Sequence, residues 1–508
     1  MRVRAEQMGL AADRLRLAGY GAAVFLSSAA LLVVEVAAGR LLAPYVGMSL
    51  YTWTAIIGVV LAGLSLGNWL GGVWADRGAG PAAAGLALGL AGASSMGSLL
   101  VLTWVAPWLE ARALDLMRAA VLYAASLFFL PALLLGIVTP LLTTLALRGS
   151  RQPGHVVGAM HALAALGSIV GTFAAGFWLV QSFGTRQVLA GTGALLLALA
   201  LPFLRRARLA LAVAAVAGAV ATAAWARGGL ASPCTRESAF FCIRVVDASA
   251  EAPWGEARAL VLDHLLHGIN HRQAPTLLLS PYMQAMLDLA VWHARARGRA
   301  PRAVFFVGGG AYSLPRALGR LWPETRLHVA ELDPAVTAVA AGHLYVDTAA
   351  MRIEHADARP VLRRSRLRYD LVVGDAFQDV AVPAHLLTRE FAALVRARLA
   401  PDGLYVLNVV DAWPELELVA AVARTLGEVF GHVGVWTAGD PGGPARLTFV
   451  VAATDAGPLP AEPPPALPWH RPWRPVPAGR LAHGMRLTDD LAPVERLIAP
   501  LMLGARGR

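Results

Sequence analysis

The run Ala303-Val-Phe-Phe-Val307, followed at once by Gly308-Gly309-Gly310, decides how this chain folds. A short apolar run closed by glycine reads as a buried strand turning into a helix, here over 311–321. A second strand, Arg326-Leu-His-Val-Ala330, ends in Glu331-Leu332-Asp333. A third leads to Asp357-Ala358, and a fourth, Asp370-Leu-Val-Val373, leads to Gly374-Asp375-Ala376. Strands alternating with helices predict a parallel sheet covered on both faces. Glycines after the first strand let backbone approach a ligand closely, and an acid about 20 residues on can take ribose hydroxyls. A glycine turn alone is equally a tight connection. The added weight comes from Glu331, Asp357 and Asp375 at successive strand ends, where open α/β sheets bind ligands. No P-loop lysine follows the glycines, which argues against a nucleoside triphosphate. A nucleoside carrying a charged group other than phosphate fits better.

Working outward, Gly403-Leu-Tyr-Val-Leu-Asn408 reads as a fifth strand. A helix at about 414–429 and strands near 432–438 and 445–453 complete a seven-stranded sheet. The proline-rich stretch 457–477 reads as a linker of polyproline II character. Upstream, Phe241–Val246 and Arg258–Leu262 read as paired strands. His264, His267 and His271 follow, but Gly268-Ile-Asn270 makes a helical metal-ligand spacing a poor fit, so a hairpin tip is expected and no metal site. Ser280 and Pro281 suit the N-cap and first position of a helix carrying Tyr282, Met283 and Gln284.

The first 228 residues are of another kind. Charged residues make up 15% of the 508-residue chain against about a quarter in ordinary soluble proteins, and the deficit sits here. Apolar runs at about 18–38, 52–74, 82–105, 118–147, 156–181, 188–204 and 208–226 suit a bilayer, which takes about 20 apolar residues per helix. Arginines gather before the first run, at Arg77, at Arg148 and Arg151, and at Arg205, Arg206 and Arg208. These are alternate loops, so the positive-inside rule places the amino end in the cytoplasm and residue 229 onward outside. Pro131 and Pro140 in the fourth run leave open a break that would reverse this parity. Cys234 and Cys242 are either two small apolar residues or a local disulfide, which needs an oxidising compartment. The net charge of +11 is all arginine, without the interleaved aromatics of nucleic-acid binders, so no nucleic-acid partner is expected.

Val307-Gly-Gly-Gly310, Glu331-Leu-Asp333, Asp357-Ala358-Arg359, Tyr369-Asp370…Asp375 and Thr388-Arg-Glu-Phe391 occur in the order found in spermidine synthases. The chain resembles most the bacterial membrane proteins in which such a domain is fused to transmembrane helices. Leu487-Thr-Asp-Asp-Leu-Ala-Pro493 also resembles a segment near the end of that fused family.

The resemblance implies a Rossmann-like domain that uses decarboxylated S-adenosylmethionine, or S-adenosylmethionine, as co-substrate, with no tightly bound cofactor. It implies a donor site of Gly308, Gly309, Gly310, Glu331 (ribose), Asp333, Asp357 (adenine amine) and Ala358. Asp375 would be the general base and Tyr282 would orient an attacking amine, with Asp379, His267 and Gln284 on the acceptor side. Membrane lipid, an amine acceptor and self-association are the implied partners. The domains expected are 1–228 (membrane helices), 229–300 (β extension and lid helix), 301–455 (the synthase-type domain) and 456–508 (linker and tail). Three positions depart from soluble spermidine synthases. Ala311 stands where they carry an acid, Met283-Gln284 where they carry His-Glu, and Tyr312 where another glycine is expected. These departures keep other readings open: a transporter or sensor with a non-catalytic nucleoside- or polyamine-binding domain, or a methyltransferase acting near the membrane.

Overall fold

A computed structural model describes residues 2–112, 114–148, 150, 152–377, 382–439 and 442–503, and the side chains of those between 15 and 501. The chain divides into two compact units, Met1–Pro233 and Cys234–Arg508.

Among its described residues the first unit holds seven helices long and apolar enough to cross a membrane. They are α1 (Leu15–Val46), α2 (Leu50–Asp76), α3 (Pro81–Glu110), α4 (Leu116–Leu147), α5 (Pro153–Phe183), α6 (Thr185–Phe203) and α7 (Ala207–Ala226). Small residues let them pack at close range. A Cβ on Gly67 or Gly71 of α2 would collide with the carbonyls of Leu133 or Ile137 on α4. One on Gly167 or Gly171 of α5 would meet those of Phe25 and Ala29 on α1. These contacts also fix direction. Gly67 lies by Gly136 and Gly71 by Pro140, so α2 and α4 run the same way, and the paired rise of 25–29 with 167–171 makes α1 and α5 parallel. Gly89 and Gly97 of α3 face Val213 and Val220 of α7, again in parallel. Against α3, α4 runs in reverse: Ser98 donates to Leu127 O at 2.6 Å, and Tyr123 donates to Ala106 O at 3.4 Å. Tyr20 near the start of α1 stacks on Phe203 at the end of α6, and Arg186 at the start of α6 donates to Gly229 O beyond α7. Direction therefore alternates through all seven helices. The prolines of α4 leave it one continuous helix, so the start of α1 and the end of α7 lie at opposite ends of the bundle.

The second unit opens with a four-stranded antiparallel sheet, β1 (Arg236–Glu237), β2 (Cys242–Asp247), β3 (Ala257–Leu262) and β4 (Leu265–His271). Cys234 and Cys242 are joined as a disulfide across its first turn, with a Cα–Cα distance of 5.3 Å. Helix α8 (Pro281–Ala296) follows. Then come β5 (Ala303–Val307), α9 (Ser313–Leu321), β6 (Arg326–Ala330), α10 (Pro334–His343), β7 (Arg352–Glu354), α11 (Ala358–Arg364), β8 (Tyr369–Gly374), α12 (Arg389–Arg398), β9 (Leu399–Trp413), α13 (Glu417–Gly427), β10 (His432–Thr437), β11 (Ala445–Thr454) and β12 (Arg474–Pro475). The main sheet has the order β12-β10-β11-β9-β8-β5-β6-β7, parallel from β9 to β7. Its centre, β5 with Val304, Phe305 and Phe306, is buried on both faces, which is why those strands read as unbroken apolar runs.

This sheet has eight strands, a correction to the seven expected. The extra strand comes from the proline-rich stretch, which is packed rather than free. Trp473 is buried, the Trp436 indole donates to Ala461 O at 2.9 Å, and Asp288 of α8 accepts from the amide of Ala466 and from His470. Arg474-Pro475 then pairs with Trp436-Thr437 at the sheet edge, the position where a proline without an N–H is tolerated.

Candidate active site

The chain steps outward from β5 to β6 and β7, then returns to β8 on the other side of β5. That reversal opens a crevice at the carboxyl ends of β5 and β8, where ligands of such sheets bind. Gly308 enters it at φ +92° and Gly310 at φ +51°. A Cβ on Gly308 would come within 2.6 Å of Asp375 O, so only glycine allows the two strand ends to close. Across neighbouring strands, the ends carry Asp375 (β8), the glycine turn (β5), Glu331 (β6) and Asp357 (just past β7). Strands lie about 4.8 Å apart, so a ligand lying across this row would be about 14 Å long.

Glu331 is almost wholly buried and grips the turn from beneath. It accepts from Gly309 N at 2.8 Å, Gly310 N at 3.2 Å and Asp333 N at 2.9 Å. Burial raises its pKa, and those three N–H groups pull it back down. Asp333 faces elsewhere: one oxygen caps α10 through Ala335 N, and the other accepts from Ser238 Oγ at 2.5 Å. Ser238 sits inside the loop closed by the disulfide, so that loop steadies the end of β6.

Asp357 caps α11 through Arg359 N at 2.8 Å, and its second oxygen meets His385 Nε2 at 2.6 Å. Ala358 is the buried first residue of α11. Arg359 forms a two-pronged ion pair with Asp489 of the tail, at 2.8 and 2.5 Å, and Thr388 Oγ1 donates to the same carboxylate at 2.7 Å. Those bonds, led by that from Arg359, hold the Asp489 carboxyl down at about 2. The tail acid thus braces the strand end that presents Asp357.

At the other end of the crevice Tyr282 donates to Asp375 Oδ2 at 3.3 Å, and Asn408 Nδ2 donates to Asp375 Oδ1 at 2.7 Å. Burial pushes the Asp375 carboxyl up to about 7, against the lowering effect of these two bonds. Burial beside Asp375 likewise pushes the Tyr282 phenol well above its ordinary value. Asn408 is buried, and among the described residues its own Oδ1 has no hydrogen-bond partner, so an acceptor atom is left beside the carboxylate. Sequence reasoning missed Asn408, although its signal was present: a polar side chain closing the apolar run of the strand beside that of Asp375.

The geometry joins a glycine turn, a buried acid that anchors it, an outer acid and a carboxyl held near neutrality. Residues 283–456 match the family model described as spermine/spermidine synthase domain. The carboxyl-terminal unit carries a spermine/spermidine synthase domain. A polyamine aminopropyltransferase of Vibrio vulnificus is 34% identical over 136 residues, 26% of this chain and 44% of that protein. A polyamine aminopropyltransferase of Synechococcus is 28% identical over 197 residues, 37% of this chain and 62% of that protein. The chain thus spans less than two thirds of these curated relatives. A probable spermidine synthase from Corynebacterium glutamicum aligns at 19% identity with a TM-score of 0.43, over 50% of this chain and 94% of that one.

The synthase domain does not bring every expected residue into the crevice. Gln284 points into α8's packing, where its amide donates to Leu278 O at 2.7 Å and accepts from Arg471 N at 3.3 Å. Met283 is buried beneath Gly268. Ala311 is buried too, and the hairpin of β3 and β4 presses Gly268 against it. Tyr312 does not intrude on the crevice: its ring packs under Gly309 and its hydroxyl meets Thr337 Oγ1 at 2.7 Å. His267 lies on β4 close to Gly310, and burial, aided by Arg446, pushes its pKa down to about 4, so the imidazole is neutral near pH 7. Asp379 lies outside the described residues.

Proposed function

We propose that this chain is a membrane-anchored transferase that moves an aminopropyl group from a decarboxylated S-adenosylmethionine-type donor to an amine. The nucleoside lies along the carboxyl ends of the strands, ribose toward Glu331 and adenine toward Asp357, with the sulfonium over the glycine turn. Gly308, Gly309, Gly310 and Ala358 shape the donor site, while Asp333 acts from behind by steadying the end of β6. The acceptor nitrogen attacks the carbon bonded to sulfur. The C–S bond breaks with its electrons passing to sulfur, leaving methylthioadenosine, and the proton lost by the new C–N centre goes to Asp375. Tyr282 and Asn408 hold that carboxylate and orient the amine, with His267 at the acceptor end. Residues 229–300 form the lid side of the site, 301–455 the catalytic body and 456–508 a strap and tail.

The observation that carries this reading is the Asp375 carboxyl, held at about 7 by burial between Tyr282 and Asn408. A general base works best when its pKa lies near the operating pH. Because the base acts as the carboxylate, kcat/KM should be level above about pH 7 and fall tenfold per unit as pH drops below it. A pH–rate profile checks this, and a flat profile from pH 5 to 9 removes Asp375 as the base. A second reading, a nucleoside sensor, draws support from Ala311, which leaves the transferred amine without the acid that soluble spermidine synthases carry there.

The seven apolar helices act as bilayer spans. Their strict alternation supports an outward synthase domain when the arginine-rich ends face the cytoplasm, and a disulfide at 234–242 suits an oxidising side. Alkaline phosphatase fused to the carboxyl end should be active in cells, and green fluorescent protein fused there should be dark. The reverse pattern overturns the placement.

A further inference from the structure

The opposite end of the main sheet carries a feature that aminopropyl transfer does not use. A groove of about 820 Å³ opens beside the edge strand β7, at the amino ends of β6 and β7. Since β6 is five residues long, it lies about 16 Å from the catalytic crevice. Four arginines line it: Arg326, Arg352, Arg364 and Arg366. They face a single carboxylate, Glu354, which is already taken up by Arg352 at 2.7 Å, by Arg364, and by His328 at 3.0 Å. His328 is in turn fixed by Tyr369 at 2.7 Å, so the floor of the groove is a closed network. Among the described residues, the side chains of Arg326 and Arg366 have no acidic or hydrogen-bonding partner, and both are exposed.

Two other arginines, just past α8, are held in ion pairs. Arg297 and Arg299 are neutralised by Asp370 and Asp402, at 2.5 to 2.9 Å. Four guanidinium groups against one carboxylate leave an excess of positive charge in a concave, solvent-open site. Planar guanidinium forks match phosphate oxygens, and two forks without partners provide the donors. The unit is joined to the last apolar helix through residues 227–235, so phosphate displayed on a bilayer is presented to it at high local concentration.

We propose that this groove binds the phosphate of an anionic phospholipid headgroup. Arg326 and Arg366 take the phosphate oxygens, while Arg352 and Arg364, held by Glu354, supply fixed charge behind them. The test uses the full chain in a non-ionic detergent, titrated calorimetrically with short-chain phosphatidylglycerol, short-chain phosphatidylcholine and inorganic phosphate at constant ionic strength. Phosphatidylglycerol should bind saturably and phosphatidylcholine at least tenfold more weakly. The Arg326→Glu/Arg366→Glu variant should lose at least tenfold in phosphatidylglycerol affinity while binding methylthioadenosine as the parent chain does. Because neither side chain holds the protein together, the variant should fold, and an unchanged thermal midpoint verifies that. Equal phosphatidylglycerol affinity in parent and variant overturns the proposal. So does inorganic phosphate binding that phosphatidylglycerol cannot displace, which assigns the groove to a soluble anion.

Discussion

Replacing Asp375 with asparagine is expected to lower the rate of transfer by roughly 10²–10⁴-fold, the usual contribution of a positioned general base. The substitution keeps the size of the side chain and a hydrogen-bonding oxygen for Tyr282 or Asn408, but removes the group proposed to take the proton. Donor affinity should stay within about threefold, because the proposed pose puts Asp375 at the reacting end and not beneath the ribose. The defect therefore belongs in kcat, the signature of an interaction made in the transition state. Steady-state kinetics on the full chain separates the two parameters. A loss confined to KM would make Asp375 a binding residue and move the base elsewhere.

The second large effect is expected at Glu331. Its carboxylate accepts from three backbone amides, those of Gly309, Gly310 and Asp333, and it is nearly wholly buried. Glu331→Ala leaves those donors without an acceptor, and each unmet buried donor costs about 1–3 kcal/mol. The glycine turn loses its anchor and, in the proposed pose, the ribose loses its acceptor, so methylthioadenosine affinity should fall by about 100-fold or more. Glu331→Gln preserves shape and one acceptor oxygen but loses the charge, and should fall by about tenfold. Calorimetric titration of the three proteins gives the ranking. If alanine and glutamine bind alike and as well as glutamate, the nucleoside does not use this acid.

Much of the synthase fold could be read from local sequence, because a strand buried on both faces advertises itself as a continuous apolar run. β5 and β6 coincide with their expected limits, and β8 extends one residue beyond at each end. The acids at those ends were legible for the same reason: polar residues abruptly closing apolar runs. What escaped depends on contacts far along the chain. The proline-rich strap looks like a linker by composition, yet Asp288 and Gln284, some 180 residues earlier, capture it through Ala466, His470 and Arg471. That capture also removes Gln284 from the acceptor side, which its place two residues after Tyr282 could not reveal. Asp489 is similar, because its ion pair with Arg359 spans 130 positions. Nothing in Thr-Asp-Asp points to a partner that far upstream.

The central claim is that the glycine turn and the acids at 331, 357 and 375 form a single nucleoside site. Isothermal titration of the full detergent-solubilised chain with decarboxylated S-adenosylmethionine, S-adenosylmethionine and methylthioadenosine tests it most directly. Saturable one-to-one binding of decarboxylated S-adenosylmethionine and methylthioadenosine, each displacing the other, is the predicted result. Absence of heat and of competition for all three ligands would contradict the account.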